Sequence, residues 1–113
     1  MPESVGRDFY NREYFEARTR ESLPYTREVI YPLIERTARF LRHRCAPQCA
    51  LDIGCAKGFL VEALLAQGIP AAFGLDVSLY AVGEGGSMTR GRLLVADALA
   101  GLPMHSASCD LAT

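Results

Sequence analysis

Apolar residues recur at helical spacing in the first part of the chain and form short unbroken runs in the second part. Aromatic and small side chains follow a helical period over residues 8–20, and Asp8 can cap the start, so we predict a short helix there. Residues 26–44 place apolar side chains on one helical stripe and end in a basic turn, which suits the negative end of a helix dipole. Pro32 interrupts this second pattern. Either it kinks the helix, or the helix begins near Ile30 and Pro32 lies in its first turn.

Strand-like and helical patterns alternate from residue 47 onward. We predict strands over residues 49–53, 71–75, 92–96 and 109–113, and helices over residues 57–67 and 79–82. Gly68 is expected to end the first of these helices. This alternation is typical of a parallel sheet with right-handed crossovers. The sequence therefore predicts an α/β fold, with a Rossmann-like parallel sheet of about four strands, helices on both faces and a helical N-terminal segment.

The composition changes near Ala46 and Pro47, from charged and aromatic residues to alanine, leucine, valine and glycine. We expect residues 1–46 to form a helical lid and residues 47–113 to form a ligand-binding domain that is truncated after its fourth strand. The sheet is then incomplete, and its fourth strand is an apolar edge. Such an edge favours self-association.

Composition and charge exclude several classes of protein. The 113 residues are half apolar and carry 12 basic and 13 acidic side chains, which suits one domain with its own core. Arginines alternate with glutamates in the first half, which argues against nucleic-acid binding. No apolar stretch is long enough to span a membrane and no secretory signal is present, so we expect a cytoplasmic protein. The cysteines, at positions 45, 49, 55 and 109, are expected to be thiols rather than disulfides or metal ligands.

Two glycines after the first predicted strand are candidates for contact with a ligand. Gly54 and Gly58 lack Cβ atoms where a ligand can approach the backbone, and the helix that follows offers unpaired N–H groups. A dinucleotide fingerprint needs glycine at positions 54, 56 and 59, and Ala56 and Phe59 break that pattern. The turn therefore favours a ligand other than a pyrophosphate.

Two aspartates follow the next two predicted strands. Asp76 ends the second strand, where a carboxylate can accept hydrogen bonds from both hydroxyls of a ribose. Asp97 follows the third strand, where it can reach an adenine amino group. Both also have a simpler interpretation, because aspartate caps helices. The glycines, likewise, could serve only to permit a tight turn.

Four segments, in order and spacing, resemble the motifs of class I S-adenosylmethionine-dependent methyltransferases. They are Leu51-Asp52-Ile53-Gly54-Cys55-Ala56-Lys57-Gly58, Gly74-Leu75-Asp76-Val77-Ser78, Val95-Ala96-Asp97-Ala98, and Leu102-Pro103 with Cys109-Asp110-Leu111. The resemblance covers residues 49–113. The first 46 residues resemble, more loosely, the helical segment that many members fold over the cofactor.

The resemblance implies methyl transfer from S-adenosylmethionine, with this chain supplying the cofactor-binding half. Gly54 and Gly58 would line the methionyl part, and Asp76 would hold the ribose. The complete set of implied cofactor-binding residues is Asp52, Gly54, Cys55, Ala56, Gly58, Asp76, Val77, Asp97 and Ala98. No catalytic residue and no methyl acceptor are implied, because the family places acceptor-binding groups after the fourth strand.

Two other functions stay open at this point. A non-catalytic module could keep the nucleoside pocket, or only the fold, as an interaction surface. An NAD-dependent oxidoreductase is the second alternative, against which the glycine positions argue. Ala56 departs from the methyltransferase pattern, since the family usually has glycine there, and Lys57 is expected to be in solvent.

Overall fold

The computed structural model describes residues 11–16, 24–101 and 109–113, which form a parallel four-stranded sheet with helices beside it. The strands are β1 (Cys49–Ile53), β2 (Ala71–Asp76), β3 (Leu93–Val95) and β4 (Leu111–Ala112). The helices are α1 (Arg12–Glu16), α2 (Arg27–Arg44), α3 (Phe59–Ala66) and α4 (Leu79–Gly83), with short 3-10 helices at Ser87–Thr89 and Ala98–Ala100. The predicted α/β fold is confirmed.

The strands lie in the order β3-β2-β1-β4. β1 and β2 pair in parallel along all of β1, from Cys49 opposite Ala71 to Ile53 opposite Leu75. The chain adds β2 and β3 on one side of β1 and β4 on the other, so the strand order reverses at β1. Open α/β sheets bind ligands at such a reversal, outside the carboxyl ends of the strands. We therefore expect a ligand-binding site at the carboxyl ends of β1 and β2.

The main core lies between the sheet and the helices α2 and α3. Val61 and Leu64 of α3 are 0% and 1% exposed, and burying side chains of this size stabilises the fold by roughly 1.5–3 kcal/mol each. They pack with small residues that let the layers approach closely, namely Ala38 of α2, Ala50 of β1 and Ala72 of β2. The helix α2 thus shares one core with the sheet.

The N-terminal helices partly match their predicted bounds. Asn11 caps α1, because its Oδ1 accepts a hydrogen bond from the Tyr14 N–H at 3.2 Å. The predicted cap, Asp8, and the ends of the predicted helix over 8–20 lie outside the described residues. α2 begins at Arg27 and continues through Pro32, which lies in its second turn. The alternative in which Pro32 lies in the first turn is therefore wrong.

α3 begins two residues later than predicted. Ala56 and Gly58 have φ angles of +52° and +81°, and such left-handed residues cannot belong to a right-handed helix. The helix ends at Ala66, one residue earlier than predicted, and the predicted terminator Gly68, whose φ is +89°, follows the cap residue Gln67. β1 has its predicted bounds, whereas β2, β3 and β4 differ from theirs by one or two residues at one or both ends. β4, with two residues, is the shortest of the described strands.

None of the described helices is long and apolar enough to cross a membrane. All four cysteines are free.

Candidate functional site at the carboxyl ends of the strands

The turn between β1 and α3 is tied to the end of β2. The N–H groups of Gly54 and Cys55 both donate to the Leu75 carbonyl oxygen at 2.8 Å. Gly54 has a φ of +76°, and a Cβ atom placed there would meet no atom within 4 Å. Gly54 therefore combines a backbone that favours glycine with open space beside it, as a ligand-contacting glycine requires.

Gly58 lies close to the sheet. A Cβ atom on Gly58 would lie 2.6 Å from Cδ1 of Leu93, a residue of β3. Its missing side chain therefore makes room for the packing of α3 against the sheet. Only the backbone of Gly58 is left to line a ligand.

Asp76 joins the glycine turn to the end of β2. Its Oδ2 accepts a hydrogen bond from the Ala56 N–H at 2.7 Å, and its Oδ1 accepts one from the Ser78 N–H at 2.8 Å. The turn and the carboxylate therefore border the same space. A carboxylate has about four acceptor positions, so these two bonds leave capacity for further donors such as hydroxyl groups.

Asp52 adds a second carboxylate at this edge of the sheet. The Thr113 hydroxyl donates to Oδ1 of Asp52 at 3.0 Å. Burial raises the pKa of Asp52, the hydrogen bond from Thr113 lowers it and the charge of Asp76 raises it slightly, with a net value of about 6. The edge is therefore acidic and suits a ligand with hydrogen-bond donors or positive charge.

Tyr25, which sequence reasoning missed, covers the glycine turn. Its ring stacks on Phe59 with centroids 5.6 Å apart and an angle of 9° between the planes, and it packs against Ala56. Burial raises the pKa of Tyr25 to about 12, with smaller contributions from Asp52, Cys55 and Asp76, so the phenol lies near both carboxylates. The only sequence signal was an aromatic residue just before the start of α2.

Lys57 is buried, so the expectation that it is in solvent was wrong. Lys57 is 7% exposed, and its Nζ lies 5.4 Å from the ring centroid of Tyr80. An ammonium over an aromatic ring is stabilised by about 0.5–2 kcal/mol, depending on how far it is desolvated. This contact connects the turn to α4.

Cys55 turns its side chain away from the open space. It is 2% exposed, and a Cβ atom on Gly74 would lie 2.6 Å from its Cβ and 2.8 Å from its Sγ. Burial raises the pKa of Cys55 to about 12, so it stays a thiol. Its backbone alone borders the turn. Val77, another residue of the predicted set, is partly buried.

Asp97 lies near the same edge and caps the 3-10 helix that follows. Its Oδ1 accepts a hydrogen bond from the Leu99 N–H at 2.9 Å, which is the simpler role considered for it. The Ala96 N–H donates to the Asp76 carbonyl oxygen at 2.9 Å, so the chain before Asp97 is held against the end of β2. Ala98, the first residue of the 3-10 helix, is exposed.

A cleft of about 310 Å³ lies next to the turn, between the first residues of α2, the first turn of α3 and residues 84–89. Glu62 is 7% exposed in its wall, and its Oε2 lies 2.7 Å from Nη2 of Arg27. This ion pair balances the buried charge. The cleft shares Lys57 and Gly58 with the turn but does not include the aspartates of the carboxyl edge.

The described residues bring together most of the predicted set. Gly54, Ala56 and Asp76 share one edge with Asp52, and Asp97 lies near that edge. The Cys55 side chain is buried, and a Cβ atom on Gly58 would point into the packed interior. Among the described residues, no three His, Cys, Asp or Glu side chains lie close enough to hold a metal ion. No protein-family model matches the sequence, and a search of the curated proteins finds no match.

Proposed function

We propose that this chain binds S-adenosylmethionine and supplies the cofactor-binding half of a methyltransferase. The observation that carries the proposal is the 2.7 Å hydrogen bond from the Ala56 N–H to Oδ2 of Asp76. It brings the turn after β1 and the acid at the end of β2 to one edge of the sheet. These are the two features that hold the methionyl part and the ribose in the family that the sequence resembles.

The chemistry of this edge supports the same ligand. Asp76 keeps acceptor positions for the two ribose hydroxyls, and the backbone of Gly54 faces open space. The negative charge of Asp52 and Asp76 favours a ligand that carries a sulfonium and an ammonium group. Tyr25, stacked on Phe59, forms an apolar wall beside the turn.

The bound cofactor would supply an already activated methyl group. The protein's own task is then to align donor and acceptor and to exclude water. Gly54 and the backbone of the turn would position the methionyl part, Asp76 would fix the ribose, and Tyr25 would shield the site from solvent. The described residues assign no catalytic base, so the proposal includes none.

The structure disfavours the oxidoreductase alternative. Phe59 occupies the first position of α3, is 7% exposed and is stacked under Tyr25. A dinucleotide site needs glycine there so that the helix can pack closely behind a pyrophosphate. A non-catalytic module would bind the same nucleoside, and transfer of an isotopically labelled methyl group to an acceptor separates the two functions.

Calorimetric titration with S-adenosylmethionine tests the proposal, with Gly54→Ala and Gly91→Ala as a matched pair. Both glycines have nearly the same φ, +76° and +75°, and a Cβ atom on either meets nothing within 4 Å. The strain of the substitution is therefore the same, but Gly91 precedes β3 at the opposite edge of the sheet. We expect Gly54→Ala to weaken binding at least about tenfold, because one misplaced methyl group costs roughly 1.4 kcal/mol or more.

Three results would contradict the proposal. They are no heat from the wild-type chain, equal affinity for the two glycine variants, and tighter binding of NADH than of S-adenosylmethionine. Asp76→Ala tests the carboxylate separately. Because it also releases the N–H groups of Ala56 and Ser78, its folding is checked by circular dichroism first, and heats equal to wild type would remove Asp76 from the site.

A further inference from the structure

Cys49 and Cys109 lie beside each other at the amino ends of β1 and β4. The Asp110 N–H donates to the Cys49 carbonyl oxygen at 3.0 Å, and the Cys49 N–H donates to Oδ1 of Asp110 at 2.9 Å. A third bond joins the Gln48 N–H to Oδ2 of Asp110 at 3.1 Å. The residue next to Cys109 is therefore held directly against Cys49.

This pairing sets the separation of the two cysteines. The register pairs Ala50 with Leu111, so Cys49 is opposite Asp110 and Cys109 is one residue off that pair. Cys109 lies outside the regular part of β4, and the bond from the Asp110 N–H to the Cys49 carbonyl oxygen holds its backbone beside Cys49. One strand spacing and one residue of rise then put the two Cα atoms roughly 6 Å apart. Disulfides span Cα separations of about 4.4–6.8 Å.

The thiols themselves interact. Burial is the largest of the causes that together raise the pKa of Cys49 to about 11, and a hydrogen bond with the Cys109 thiol and the charges of Cys109 and Asp110 are the smaller ones. Both residues are partly exposed, so a small oxidant can reach them. The other two cysteines differ, since Cys55 is buried and Cys45 is exposed at the end of α2.

We propose that Cys49 and Cys109 form an oxidation site, which closes into a disulfide that fastens β4 to β1. The oxidant is a low-molecular-weight disulfide such as oxidised glutathione. One thiolate attacks it, forms a mixed disulfide and releases one glutathione thiolate; the second cysteine then displaces the other glutathione. Two cysteine thiols are oxidised, one glutathione disulfide is reduced, and the two protons end on the released glutathione.

The site is independent of the proposed cofactor site. Cys49 begins β1 and Cys109 precedes β4, whereas Gly54 follows β1 and Asp76 ends β2, so the two sites lie at opposite edges of the sheet. β4 pairs with β1 through two register positions only. A covalent link beside them would hold the edge strand without covering Gly54 or Asp76.

The experiment incubates the reduced wild-type chain with oxidised glutathione, stops the reaction with acid, unfolds the protein and alkylates the remaining thiols. We expect two of the four cysteines to escape alkylation, a mass about 2 Da lower before alkylation, and a linked peptide containing Cys49 and Cys109. Cys45→Ser should form the same link to the same extent. Cys49→Ser should abolish it and leave a glutathione adduct on Cys109.

Other products would overturn the proposal. These are four alkylated cysteines, glutathione adducts on both residues without a link between them, or a main link between Cys45 and Cys49. The same reaction in urea should give a lower fraction of the 49–109 link, because the folded strands bring the thiols together. The wild-type peptide map decides the question even if a serine variant fails to fold.

Discussion

Ala56 has an unfavourable backbone conformation. Its φ of +52° lies in the left-handed region, which costs a residue with a Cβ atom roughly 1–2 kcal/mol. The conformation is maintained because the Ala56 N–H donates to Asp76 and the methyl group packs against Tyr25 and Ala81. The strain is therefore tied to the contact that brings the two halves of the candidate site together.

We expect Ala56→Gly to leave the free energy of unfolding within about 0.5 kcal/mol of wild type. Relief of the strain offsets the loss of a buried methyl group, about 0.8 kcal/mol, and the greater freedom of glycine in the unfolded chain, about 0.5–1 kcal/mol. Ala63→Gly is the control, since Ala63 is also buried but lies within α3. It should cost about 1.5–2 kcal/mol in urea denaturation, and equal losses at both positions would show that Ala56 is unstrained.

Asp52 should make stability depend on pH in a direction opposite to that of most carboxylates. Its folded pKa of about 6 lies above its unfolded value of 3.8, so the folded state disfavours the charged form. The penalty is present in full above about pH 6, shrinks as the pH falls, and is absent below the unfolded pKa. Asp52→Asn should therefore raise the free energy of unfolding at pH 8, by at most about 3 kcal/mol, and leave it unchanged near pH 3.5.

Asp110→Asn is the control, because its effect on the free energy of unfolding should depend on pH in the opposite direction. Backbone N–H groups of Cys49 and Gln48 lower the pKa of Asp110, so this carboxylate stabilises the fold above its unfolded pKa and loses that effect as the pH falls through its folded pKa. The variant should be less stable than wild type at pH 8 and approach it in acid. Urea denaturation at pH 3.5 and pH 8 measures both, and pH profiles of the same sign would contradict the assignment.

At the scale of the element, α2 contains a residue, Pro32, that destabilises a helix. Pro32 cannot donate to the Glu28 carbonyl oxygen, and its ring crowds that turn, at a cost of about 3 kcal/mol. The helix runs through it because Tyr31, Ile34 and Leu41 pack against the core on the other side. Burial of one face has thus outweighed a local helix breaker.

Pro32→Ala should raise the free energy of unfolding by about 2 kcal/mol. Pro32 is exposed, so its replacement removes the cost of proline within the helix without loss of core packing, and the added freedom of the unfolded chain reduces this gain by only about 0.4–1 kcal/mol. Arg36→Ala, at another exposed position of α2, should change stability by less than about 0.5 kcal/mol. Thermal unfolding followed by circular dichroism compares the two. If the Pro32 variant is no more stable than the Arg36 variant, proline does not destabilise α2 at this position.

The elements best predicted from the sequence are those with local signals. β1 and β2 are short apolar runs, and Gly68 ends α3 by its own conformational freedom. The meeting of Gly54 and Asp76 was predictable as well, because parallel strands bring their carboxyl ends to one edge. The start of α3 was not, since no pattern of apolar residues indicates the left-handed backbone of Ala56. The burial of Lys57 and the position of Tyr25 depend on packing between segments distant in the chain.

At the scale of the whole molecule, the sheet should be most stable at its centre. β1 is paired on both sides, and Leu51 and Leu75 are 3% and 1% exposed, whereas β4 contributes two residues and ends in exposed positions. Local opening is cheapest where few buried contacts must break. Amide hydrogen exchange followed by NMR should therefore be slowest in β1 and β2 and at least about 100-fold faster at Leu111 and Thr113. Uniform protection across the four strands would contradict this.

The strand order also has a consequence for the growing chain on the ribosome. β1 is made first but lies inside the finished sheet, and its second neighbour, β4, follows only after 57 intervening residues. At about 5–20 residues per second, translation of that stretch lasts about 3 to 11 s. Throughout this interval, the backbone N–H and C=O groups on the β4 side of β1 have no strand to pair with. Cotranslational folding of this chain thus exposes a central strand to wrong partners, and fast elongation through residues 54–110 should improve its yield.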